Sequence, residues 1–275
     1  MSLPLYKKAL IIGGTSGIGL ALAEKLISTG ASVIVTGRRH DRLQSFVSAH
    51  PKHASSYTLD VTDLSSLPAF VATVTQSHPD IDLVVLNSGI QRAFDFTSPS
   101  SVDLGTFQTE LVTNYLSVVH VFTLLTPYLT SRPHGTTVAF ISATLGLVPT
   151  MIRTSGYNAS KAALHSWILN VREQFRRSTD AAYHKVKLVE VFPPAVQTEL
   201  HDTRHQPDLI NGDKLGMPLD VYTEQMWKGL ERGEEQFGVG DFPAAVLEGP
   251  EKARGEMYSG GIDGLEKALA PFKKS

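Results

Sequence analysis

Cysteine is absent from all 275 residues, which excludes disulfide staples, thiolate zinc sites and a thiol nucleophile. The absence suits a reducing compartment, so a cytoplasmic setting is expected. An excess of either charge is missing too. The 25 basic and 27 acidic residues give a net charge of -2, without the basic surplus that draws a chain to nucleic acid or an anionic membrane. No apolar run approaches the roughly 20 residues of a membrane span, and only seven residues precede the first apolar run at Lys8, too few for a signal peptide. Repeats and low-complexity tracts are likewise missing. A small-molecule partner is expected, with no nucleic acid and no membrane.

What is present is an ordinary globular composition, 42% apolar and 19% charged, enough for one large core and one domain spanning 1–275. Short Val, Ile and Leu runs at 9–13, 32–36, 56–61, 82–87, 137–143 and 187–192 read as buried strands, with a weaker seventh at 236–239. Between them, 18–28, 41–49, 64–77, 102–129, 156–177 and 219–231 have helical periodicity, and Pro127 is expected to tighten or end the fourth. This alternation predicts an α/β fold, a single doubly wound, Rossmann-type parallel sheet of about seven strands with helices on both faces. The stretch 198–218 mixes His, Asp, Arg, Pro and Gly without periodicity and reads as a solvated polar lid. The tail from Pro243 onward reads as helical.

Directly after the first strand, Gly13-Gly14-Thr15-Ser16-Gly17-Ile18-Gly19 opens the first helix. Glycines there let the backbone turn tightly and approach a pyrophosphate, which the helix N-terminus attracts. At the end of the second strand, where a ribose-reading carboxylate would favour NAD(H), stand Gly37, Arg38 and Arg39. Guanidinium groups there pair with a 2'-phosphate, which favours NADP(H). Tyr157 and Lys161 lie four residues apart, on one helix face. A phenol is a poor proton shuttle at neutral pH, and a neighbouring ammonium lowers its pKa.

With these elements in place, the chain resembles the short-chain dehydrogenase/reductase family over nearly its whole length. Gly13, Gly17 and Gly19 fit the family's glycine motif, Asp60-Val61 its adenine-contacting pair, and Asn87-Ser88-Gly89 its N-A-G motif. Asn114 matches the asparagine that holds a water in the family's proton relay, and Tyr157 with Lys161 match the catalytic pair. Pro193-Pro194-Ala195-Val196-Gln197-Thr198 is similar to the P-G-x-V-x-T segment, whose Val and Thr positions touch the nicotinamide amide. The resemblance implies a homo-oligomer, dimer or tetramer. It also implies carbonyl/alcohol interconversion, with Lys161 on the nicotinamide ribose and Tyr157 as proton donor. The Arg38-Arg39 and Pro-Pro variants look like a branch that also contains the bacterial DltE-like reductases.

Several positions depart from the pattern. Ile12 stands for the usual Thr, Ser88 for Ala, and Pro194 for a Gly, which stiffens the turn under the nicotinamide. Laid on I-S-S-x-x-G, the segment Ile141-Ser142-Ala143-Thr144-Leu145-Gly146 puts Ala143 at the catalytic serine position. Adjacent strand residues point to opposite faces, and one residue more than usual lies between Pro149 and Tyr157. The expectation is a bulge that re-aims Ser142 inward, with Thr144 as the substitute. Ala143 also leaves open a rival reading, a redox-neutral or non-catalytic NADP-binding protein such as a cyclase, isomerase, sensor or scaffold. His201 and His205 have metal-ligand spacing but no third ligand, and His165 reads as a packed or capping residue. Leu147, Val148, Met151 and Ile152 read equally as core or as a pocket wall.

Overall fold

Seven short strands form one parallel sheet in the computed structural model, which describes residues 5–272. They are β1 (Lys8–Ile12), β2 (Ser32–Gly37), β3 (Ala54–Thr58), β4 (Leu83–Leu86), β5 (Thr136–Ile141), β6 (Val186–Phe192) and β7 (Gln236–Gly238). The order is β3-β2-β1-β4-β5-β6-β7, all pairs parallel. Because parallel neighbours need crossovers, the connecting helices must cover both faces. Helices α1 (Gly17–Ser28), α2 (His40–Ala49) and α7 (Leu219–Arg232) bury one apolar stripe against Ala9, Ile11, Val33 and Val35. The opposite face, Leu10, Ile34, Val84 and Phe140, is covered by α3 (Leu67–Ser77), α5 (Ser117–Ser131) and α6 (Ser155–Arg177). The strand order reverses between β1 and β4, and such a switch point opens a crevice at the strands' carboxyl ends.

Several boundaries differ from the sequence expectation, and those that shape the site have local reasons. β3 ends at Thr58 rather than 61, and just beyond it Asp60 Oδ1 accepts hydrogen bonds from Thr62 N and Oγ1, a turn that takes the chain out of the sheet. The expected helix 102–129 is built of α4 (Leu104–Leu111), capped by the Asp103 carboxylate, then a π-helical turn Val112–Leu116, then α5. Pro127 does not end α5, which runs on to Ser131. Both Pro127 and Thr123, the residue whose carbonyl loses its partner, are exposed, so water can satisfy that group. The regular strand β5 stops at Ile141, which pairs with Val191, two residues before the Pro193-Pro194 pair, which has no N–H to donate.

The tail is helical as expected, with α8 (Asp241–Val246), a π turn Leu247–Glu251 and α9 (Lys252–Leu269); its last three residues lie outside the described residues. The stretch 198–218 is a loop closed at its base by a Val196–Met217 bridge and carries two 3-10 turns, Glu199–His201 and Gly212–Lys214. It is not simply a solvated segment. His201 and Gln206 are buried, and Gln206 Nε2 donates to Gln91 Oε1 (2.8 Å) and the Leu200 carbonyl (2.9 Å). Arg153 also binds Gln206 and Asp208. Among the described residues no helix is long and apolar enough to cross a membrane.

Candidate active site

A cavity of about 810 Å³ opens at the switch point between β1 and β4. Its floor is the glycine loop. Gly13 turns with φ +90°, and an added Cβ would fall 2.7 Å from Ser88 Oγ. At Gly19 a Cβ would fall 2.1 Å from the Gly13 carbonyl and 2.5 Å from Asn87 Nδ2, so only glycine lets α1 start this close to β1. Asn87 fixes the turn by donating to the Gly13 carbonyl at 2.7 Å. Ser16 forms no side-chain capping bond, so the first-turn N–H groups of α1 lack a cap where Ser16, Gly17 and Ile18 line the cavity. That arrangement fits a diphosphate. Arg38, Arg39, Asp60, Val61, Ser88, Gly89, Pro193, Val196 and Thr198 line the same cavity. The residues present therefore suit a dinucleotide.

The opposite wall comes from α6, the end of β5 and the π turn. Tyr157 and Lys161 line the cavity, and Lys161 Nζ donates to the Ile141 carbonyl at 2.7 Å while lying 5.7 Å from the Tyr157 ring centre. Burial lowers the ammonium to about 8, against the pull of Glu190. Burial also pushes the phenol above its ordinary range, and the Glu110 carboxylate adds to the rise. The expectation that Lys161 depresses the phenol is thus not met in the chain alone, because desolvation of the phenolate outweighs the neighbouring cation. Asn114, fully buried in the π turn, clamps the Ile90 peptide from both sides and donates to Ser160 Oγ at 3.1 Å.

A short chain dehydrogenase family model matches residues 7–208. The chain belongs to the short-chain dehydrogenase family. It is 31% identical over 233 residues to the uncharacterized oxidoreductase DltE of Bacillus subtilis (strain 168), covering 83% of this chain and 86% of that one. It is 28% identical over 228 residues to the NADP-dependent 3-hydroxy acid dehydrogenase YdfG of Salmonella typhi, covering 79% and 86%. A Burkholderia cenocepacia J2315 short chain dehydrogenase, solved in complex with NADP, shares the fold at 20% identity and a TM-score of 0.73, over 94% of this chain and 98% of that one.

In this chain the segment where a bulge was expected is regular. Ser142 N donates to the Val191 carbonyl and Thr144 N to the Pro193 carbonyl, two residues against two, and Ala143 is extended. Alternation therefore continues past Ile141. Ser142 keeps the α6 face of Val138 and Phe140, and Ala143 the opposite face of Ala139 and Ile141. The additional residue before Tyr157 lies by position beyond the strand, in the segment that holds the 3-10 turn Ile152–Thr154, which Asn158 ties to the Met151 carbonyl. The Ser142 hydroxyl is buried without a partner, whereas the Thr144 hydroxyl donates to the Pro193 carbonyl at 3.1 Å. Tyr157 makes no side-chain hydrogen bond among the described residues.

Of the apolar loop candidates only Met151 lines the cavity, and Ile152 is 88% exposed. His201 and His205 do not converge on a metal. His205 pairs with Asp202 at 2.7 Å, His201 contacts Gln206, and no metal-binding cluster exists among the described residues. Sequence reasoning missed Glu110, Arg42 and Glu199. Burial raises Glu110 to about 7 against the Arg92 N–H that bonds it, and its Oε2 has no partner. Its spacing of four residues from Asn114 was the available signal. Arg42 stands three residues after Arg39, the N-cap of α2, and the pair is joined by Glu199 from across the cleft. No local pattern announces that contact.

Proposed function

We propose that the chain is an NADP(H)-dependent reductase that interconverts a carbonyl and an alcohol on a small molecule. The observation that carries the reading is one shared cavity that brings Tyr157 and Lys161 into the same space as the glycine loop and Arg38 and Arg39. A dinucleotide, when bound, supplies the hydride. The chain's part is to hold it and to move the proton. The uncapped turn of α1 would hold the diphosphate and the guanidinium groups the 2'-phosphate, while Asp60 and Val61 would hold the adenine and Pro193, Val196 and Thr198 the nicotinamide end. The NADP dependence of the Salmonella relative and the NADP complex of the Burkholderia protein support the cofactor assignment.

Tyr157 donates its proton to the carbonyl oxygen as negative charge develops there. Its raised pKa keeps the phenol protonated until that moment, as a donor in the reductive direction requires. Lys161 stands behind the ring, and its ammonium favours the phenolate left after donation. Asn114 holds the Ile90 peptide and, through Ser160, the helix that carries both residues. Ser142 is assigned as second donor, since Ala143 has no hydroxyl and that of Thr144 is already bonded. With no bond to break, the Ser142 hydroxyl can turn about χ1. Leu145, Met151 and Phe242 offer apolar walls for the substrate, and 198–218 acts as its lid. A partly exposed groove between α5 and α6, where Pro127 is exposed and Trp167 and Phe175 are half-buried over the buried Phe122, is the surface assigned to a homo-oligomer.

The test is NADPH oxidation over a panel of aldehydes and ketones, with Tyr157→Phe as control. Turnover by the native chain and none by Tyr157→Phe, with NADPH affinity kept within about twofold, is the expected result. A Tyr157→Phe protein that turns over normally refutes the mechanism, and NADPH binding without turnover of any carbonyl favours the redox-neutral reading that Ala143 allows.

A further inference from the structure

The guanidinium groups of Arg39 and Arg42 are already engaged by an anion from this chain. Glu199, the first residue of the 3-10 turn that Thr198 caps, places Oε2 2.6 Å from Arg39 Nη1 and Oε1 2.5 Å from Arg42 Nη1. Arg39 is held in place for this contact, with Nη2 3.0 Å from Thr15 Oγ1 and 2.6 Å from Ser16 Oγ on the glycine loop. The carboxylate thus bridges two guanidinium groups beside the diphosphate turn, as two oxygens of a phosphate would. Burial by itself would raise the Glu199 pKa, but the bonds to Arg39 and Arg42 outweigh it and hold the carboxyl below its ordinary range, so it is ionised at neutral pH.

Charge matching makes this arrangement provisional. One carboxylate carries a single negative charge against two guanidinium groups, and Arg38, which also lines the cavity, makes no hydrogen bond or ion pair among the described residues. A phosphate monoester brings nearly two charges and three acceptor oxygens. All three paired side chains are about one-third exposed, at 31% for Arg39, 38% for Arg42 and 35% for Glu199, so the internal ion pairs are weak and open to exchange.

Resting on the NADP(H) reading above, we propose that Glu199 is an internal stand-in for the 2'-phosphate. It holds the arginines until the phosphate displaces it, and its displacement releases the first turn of the 198–218 segment from α2. Cofactor selectivity and the position of that segment are then one coupled equilibrium, each side opposing the other by the same factor.

Two probes that differ only in the 2'-phosphate, 2',5'-ADP and 5'-ADP, test it by calorimetric titration of the native chain and of Glu199→Gln. The variant is expected to bind 2',5'-ADP about tenfold more tightly and 5'-ADP less than twofold more tightly, in line with the loss of two weak ion pairs. In the native chain, amide hydrogen exchange at Leu200, His201 and Asp202 is expected to speed up with 2',5'-ADP and not with 5'-ADP. A native chain that binds both probes equally overturns the NADP(H) reading and this inference with it. A native preference for 2',5'-ADP that is unchanged or reduced in Glu199→Gln overturns the inference alone, since Glu199 would then be neutral or would clasp the bound nucleotide.

Discussion

His165 lies one turn beyond Lys161 on α6, nearly sealed from solvent, with Nδ1 2.8 Å from Glu190 of β6 and Nε2 3.0 Å from Glu251 of the tail. Burial alone would lower its pKa, but the two carboxylate hydrogen bonds outweigh it and raise it to about 9 from an ordinary 6.5. The folded chain therefore binds this proton more tightly than the unfolded chain. The stabilisation is complete below about 6.5 and is lost as pH climbs through about 9. At about 1.4 kcal/mol per tenfold in proton affinity, the cluster contributes about 3 kcal/mol, and a chain of this size melts about 6 °C lower without it. Lys161 works the other way. Its folded pKa is lowered to about 8 from 10.5, so stability from that residue rises between those values. The native curve mixes both slopes, and the informative quantity is its difference from His165→Gln. Melting temperature followed by circular dichroism from pH 6 to 10 should show the native chain about 6 °C above the variant at pH 6, with the gap closing by pH 10. Parallel curves across that range would refute the charged cluster.

The donor beside Tyr157 is tested by two substitutions. Ser142→Ala should lower turnover by up to roughly a hundredfold if Ser142 polarises the carbonyl, and Ala143→Ser should then be neutral. Unchanged turnover in Ser142→Ala, with a gain in Ala143→Ser, would move the role to the family's usual position. Arg38→Asp combined with Arg39→Gln should erase most of the preference for NADPH over NADH in fluorescence titration, and an intact preference would exclude these arginines from the 2'-phosphate site.

Much of the candidate site's geometry was legible because its patterns are local. The glycine loop needs φ +90° at Gly13 and no Cβ at Gly19, conditions set within seven residues of one strand-helix turn. Tyr157 and Lys161 share a helix face by period alone, and the strand alternation that puts Ser142 and Ala143 on opposite faces was likewise readable. The bulge was not. Whether a strand inserts a residue depends on its neighbour's ladder, and here β6 supplies carbonyls at Val191 and Pro193 in step with Ser142 and Thr144.

By itself the sequence determined the parallel doubly wound sheet, the glycine turn after β1 and the helix that carries Tyr157 and Lys161, since each follows from patterns within a few turns of chain. Only the tertiary structure decided the electrostatics. The phenol rises because it is buried and because the Glu110 carboxylate lies near it, where the lysine four residues away was expected to lower it. Glu199 meets Arg39 across 160 residues of chain, and Gln206 meets Gln91 across 115. Desolvation and long-range ion pairing depend on what the fold brings alongside a group, and no window of sequence contains that partner.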